Sequence, residues 1–121
     1  MNKPIGIYND EELYLRISKY NNNRRIYIGL ETKDEPYADL TINLTDMMIP
    51  TKEYVFLNGE VSDELKDFLT EKGLILDTFG TYQYNYGRYD MVEINFEKLK
   101  ELNPKEFKEN FRSRSHDLEL F

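Results

Sequence analysis

One histidine, His116, and no cysteine leave little from which to assemble a nucleophile with its base or a transition-metal site. A Ser–His–Asp arrangement would have to be built around His116, in a stretch of Arg, Ser and acids over 112–121 that reads as a fraying tail. Carboxylates are abundant, yet Asp10-Glu11-Glu12 and Asp34-Glu35 lack the Asp-x-Asp-x-Asp-Gly order of a calcium loop. Neither GxGxxG nor GxxxxGK[ST] occurs, so those phosphate-cradling devices are missing. No catalytic, cofactor-binding or metal-ligating residue is expected.

The unusual chemistry is aromatic. Of ten tyrosines, Tyr82, Tyr84, Tyr86 and Tyr89 crowd one segment. Tyrosine offers a large contact area at low entropic cost and keeps a polar tip, which suits a protein-binding surface. The plainer reading is a cross-strand aromatic ladder that stabilises a sheet. Aromatic stripes on strands also stack single-stranded bases, but a net charge of −7 opposes phosphate binding. The basic residues Arg16, Lys19, Arg24 and Arg25 form a small cluster; Arg16 and Arg25 meeting on the outer face of one hairpin would suit a phosphate or an acidic partner, but the plainer reading is a solvated strand face.

These side chains need a scaffold, and the hydrophobic pattern supplies one. Leu13, Leu15 and Ile17 alternate with polar partners, as do Ile26, Ile28 and Leu30, and then Ala38, Leu40, Ile42 and Leu44. Three such runs joined by short polar turns predict an antiparallel meander with one buried face. Residues 45–53 read as irregular, because Pro50 lacks a ladder donor. Tyr54-Val55-Phe56-Leu57 is a short covered strand. A helix over 62–72 follows, with Ser62 as N-cap, Asp63 and Glu64 at the positive end, and Gly73 as its stop. Leu74-Ile75-Leu76, the tyrosine run 82–86 and Met91–Phe96 are extended. A C-terminal helical segment spans 97–111 and restarts at Asn103-Pro104-Lys105-Glu106.

The expected fold is therefore α+β: a twisted, mainly antiparallel sheet of five to six strands, one central helix and a C-terminal helical segment. The chain of 121 residues fits one domain over 1–111, with a flexible tail over 112–121. A hydrophobic fraction of 40% against 32% charged residues describes a soluble domain with a charged exterior. The acidity is spread evenly. Residues 1–61 carry 7 basic and 10 acidic side chains, and residues 62–121 carry 9 and 13. No apolar stretch follows Met1-Asn2-Lys3-Pro4, and none nears the ~20 residues of a membrane span, so a cytoplasmic location is expected.

The stretch Glu35-Pro36-Tyr37-Ala38-Asp39-Leu40-Thr41-Ile42-Asn43-Leu44, followed by Leu65-x-x-Phe68-Leu69-x-x-x-Gly73-Leu74 and Gly80, resembles a family of small proteins of unknown function. Phages, plasmids and conjugative elements of Gram-positive bacteria carry that family. The resemblance covers roughly residues 12–110 and brings no catalytic residues. It implies a mobile-element setting, in which small acidic proteins oppose host defences as anti-CRISPR or anti-restriction inhibitors. The even charge spread argues against DNA mimicry. The expectation is a non-enzymatic protein-binding protein, monomeric or homodimeric, with a host or element-encoded protein as partner. No membrane and no direct nucleic-acid partner is expected. The competing readings are a small carboxylate-using hydrolase or nucleotide-processing enzyme, and a single-strand nucleic-acid binder.

Overall fold

Alternation puts Leu13, Leu15 and Ile17 of β2 (Glu11–Lys19) on one face with Ile26, Ile28 and Leu30 of β3 (Ile26–Glu31), where Leu15 lies opposite Leu30 and Ile17 opposite Ile28, and all six are buried. The structure, a computed structural model, describes residues 2–119, and the side chains of 2–111 among them. Of the stretch 112–121, expected as a flexible tail, the backbone is helical as far as residue 119, and the side chains, that of His116 among them, lie outside that set. A short β1 (Gly6–Tyr8) pairs with the start of β2, and β4 (Pro36–Asp39) pairs with β3, giving one antiparallel sheet ordered β1-β2-β3-β4.

The chain then changes sheets within a single extended run. The Leu40 amide donates to the Ile28 carbonyl of the first sheet (2.9 Å), and the Leu40 carbonyl accepts from the Asn58 amide (2.8 Å). Leu40 itself is fully buried at this crossing. Beyond it, β5 (Thr41–Ile42) belongs to a second antiparallel sheet with β6 (Tyr54–Leu57), β7 (Ile75–Tyr84) and β8 (Gly87–Ile94), ordered β5-β6-β8-β7. The α+β class and the antiparallel pairing stand as expected, while the strands divide into two sheets of four.

Helix α1 (Asp63–Glu71) starts and stops by the chemistry its sequence announces. Ser62 Oγ accepts from the Leu65 amide (3.1 Å). Gly73, at φ 85°, lets the Leu74 amide reach the Leu69 carbonyl and its own amide reach Thr70, which is a Schellman ending. Leu65 and Leu69 face the core. The C-terminal segment is two helices, α2 (Phe96–Leu102) and α3 (Pro104–Glu119), separated by Asn103.

One core joins both sheets and the helices: Leu13, Leu15, Ile28, Leu57, Leu69, Val92 and Leu99 belong to the same buried cluster. A smaller cluster of Leu44, Phe56 and Met91 lies apart from it, on the other face of the second sheet. Tyr82, Tyr84 and Tyr89 pack against this second group.

Candidate functional site

The β7–β8 hairpin turns at Asn85-Tyr86, with Asn85 at φ 54°, and closes on the pair Tyr84 and Gly87. Tyr82 lies directly across from Tyr89. Tyr82 meets Phe56 edge-on at 6.2 Å and 88°, and Tyr82, Tyr84 and Tyr89 are half-buried against the minor core. The Tyr89 ring covers Gly87 so closely that a Cβ there would fall 2.6 Å from its hydroxyl. Tyr82 lies over Gly80 in the same manner, at 3.0 Å. Each glycine leaves room for an aromatic ring to lie flat on the strand, and the ring in turn shields the exposed glycine backbone. Tyr84 donates to Asp46 Oδ2 (3.3 Å), which ties the hairpin to the loop after β5; the Asp46 charge, then desolvation, pushes its phenol up. Tyr86 stands apart, fully exposed at the tip.

Of the four tyrosines singled out by sequence, then, three build a ladder on the minor core and one projects into solvent. The structure adds residues that sequence reading missed. β7 carries two bulges, between Ile75 and Asp77 and between Thr78 and Gly80. Each bulge ejects one residue from the ladder, and both ejected residues are large and apolar: Leu76, 53% exposed, and Phe79, 55% exposed. Bulges on edge strands re-aim side chains in this way. Phe79 is turned onto Tyr54 of β6, edge-on at 5.5 Å and 77°.

Beside that aromatic pair, the register sets Tyr54, Glu93 and Asp77 in one row across β6, β8 and β7. Burial first, and then the charges of Glu93, Asp77 and Glu53, raise the Tyr54 phenol. None of these three carboxylates has an ion-pair partner among the described residues.

The opposite face of the hairpin carries a different arrangement. A cleft of about 260 Å³ there is lined by Asn58, Asp63, Lys66, Thr81, Arg88 and Asp90. Asp90 accepts from Lys66 Nζ (2.8 Å) and from Thr81 Oγ1 (2.6 Å). Those two hydrogen bonds hold its carboxyl below the ordinary carboxylate range. A carboxylate so held does not supply a proton at neutral pH, and its geometry clamps α1 to the hairpin. Among the described residues no three His, Cys, Asp or Glu side chains group to hold a metal ion.

Arg16 and Arg25 do not meet. Arg25 turns away from Arg16 and donates to the carbonyls of Leu44 (3.0 Å) and Met47 (2.5 Å), bracing the loop beneath Tyr84. Arg16 faces Glu31 at 3.9 Å, and Lys19 lies over the Phe111 ring at 5.2 Å. A guanidinium satisfies two carbonyls better than it tolerates a like charge, and that decides its direction.

No helix among the described residues is long and apolar enough to cross a membrane. No curated protein and no solved structure matches the chain. Residues 14–114 match a domain of unknown function, DUF4313, and with most of its length covered the chain belongs to that family.

Proposed function

We propose that the protein is a non-enzymatic binding protein of a mobile genetic element of Gram-positive bacteria, which acts in the cytoplasm as a counter-defence inhibitor by occupying a protein partner. The observation that carries the binding reading is the location of exposed apolar bulk. The large exposed hydrophobics among the described residues are Ile7, Met48, Leu76, Phe79 and Tyr86, and three of these five sit on the β7–β8 hairpin. Aromatic residues on a rigid hairpin lose little freedom when a partner covers them. Tyr82, Tyr84 and Tyr89 are taken up by packing on the minor core, which leaves recognition to Tyr86 at the hairpin tip and to Phe79 beside Tyr54. The carboxylate row beside Phe79 repels phosphates, which favours a protein over a nucleic acid as the partner.

A defence assay tests the reading. In a Gram-positive host with active restriction or CRISPR interference, expression of the protein is expected to raise the plating of a targeted phage. The double substitution Tyr86→Ala with Phe79→Ala should weaken capture of the partner by about tenfold or more, as loss of central aromatic anchors does. Plating that is unchanged by the wild-type protein, with no partner co-purifying, would overturn it.

A further inference from the structure

We infer that the partner presents an extended segment bearing lysine or arginine, which lies along the open edge of β7 with its apolar side chains on Phe79 and its cations over the Asp77–Glu93 row. This rests on the binding reading above and deepens it.

Three observations converge on the place. β7 is the terminal strand of its sheet and most of its residues are exposed, so the backbone groups on its outer side have no strand partner. Its two bulges leave Leu76 and Phe79 more than half exposed, with Phe79 lying over the sheet face beside the edge, against Tyr54. Asp77 and Glu93 are direct cross-strand partners of like charge, a pairing that costs stability and that no cation offsets among the described residues.

The chemistry of the occupant follows from the charges. A lysine or arginine over the row would relieve the repulsion and could reach the Phe79 and Tyr54 rings in cation–π contact. A second copy of this chain would bring another edge carrying the same acids and a further net charge of −7, which disfavours self-pairing. Asp77 also takes the Thr78 amide (2.9 Å), so the upper part of the edge is blunted. The regular ladder from Gly80 to Tyr84 is the stretch left for backbone pairing with a guest.

The test uses the full-length protein and a fluorescein-labelled nonapeptide of alternating valine and arginine, with a valine–glutamate peptide as control. The arginine peptide is expected to bind and to shift the amide resonances of Tyr54, Glu93 and residues 76–84. Asp77→Asn with Glu93→Gln should weaken it roughly five- to tenfold, while Asp34→Asn with Glu35→Gln, equal in net charge, should change affinity less than about twofold. The first variant should also melt no lower than the wild type, because it removes a like-charge pair. Equal weakening by both variants, equal binding of both peptides, or resonance shifts confined to another surface would overturn the inference. A partner captured through Tyr86 that is insensitive to the Asp77 and Glu93 substitutions would sink this inference and leave the binding reading standing.

Discussion

Tyr27 shows how a single side chain in this protein carries both packing and charge. Its hydroxyl donates to Asp39 Oδ1 (2.6 Å), its ring lies close over Gly29, and Tyr20 meets it edge-on at 5.8 Å. Desolvation first, and then the bond to Asp39, push the phenol up to about 12 from 10.0. Because the folded value lies above the unfolded one, the neutral phenol's contribution is complete below pH 10 and drains away as the pH climbs through 12. Ultraviolet titration at the phenolate band should therefore show a last step of one tyrosine near pH 12, and Tyr27→Phe should remove that step. Ten tyrosines titrating together near 10 would contradict it.

At the scale of elements, α3 solves a problem that β1 leaves open. β1 covers β2 only at Glu11, Glu12 and Leu13. Farther along the same edge, side chains of the helix take the place of a strand: Asn103 Nδ2 donates to the Leu15 carbonyl (2.8 Å), Glu106 accepts from the Ile17 amide (2.7 Å), and Asn110 donates to the Ile17 carbonyl (3.1 Å). Asn103 does this while accepting from the Glu106 amide (3.2 Å) as the cap of α3, and it is 1% exposed. Asn103→Ala removes the cap and strands the buried Leu15 carbonyl, so urea denaturation should report a loss of about 2–3 kcal/mol. A loss under about 0.5 kcal/mol, the size of an ordinary surface change, would mean that the edge is not sealed this way.

The same element explains what could be read in advance. Asn103 and Glu106 were legible as a helix start because capping is a contact over three residues. Their bonds to β2 span nearly the whole chain and leave no local pattern. Helix α1 was legible for the first reason, since Ser62 and Gly73 announce it. The alternation through Ala38 and Leu44 hid the change of sheet at Leu40, because an extended chain keeps its period of two while it changes neighbours. In β7 the two bulges broke the alternation, so one strand of ten residues read as two pieces with a gap between them. Composition made the tyrosines visible, but not which of them the minor core would claim. Phe79 and Leu76 escaped notice because their exposure is a consequence of the bulges.

Across the whole molecule, one face of the second sheet faces the shared core, while its other face bears the minor cluster, the tyrosine ladder and the aromatic pair at Phe79. The charge of −7 is spread over both halves of the sequence, yet the Asp77–Glu93 row gives this face a local character of its own. An apolar anchor lies there beside uncompensated acids, on a hairpin braced by Arg25 and Asp46, and the proposed binding role rests on that arrangement. The most direct measurement places a benzoylphenylalanine photo-crosslinker at Tyr86, at Phe79 and, as a control in the turn between β3 and β4, at exposed Lys33, and irradiates each full-length variant in host lysate. The first two positions are expected to yield the same discrete protein adduct and Lys33 none. Identical adduct patterns from all three positions, or no adduct from either hairpin position, would contradict recognition through this face.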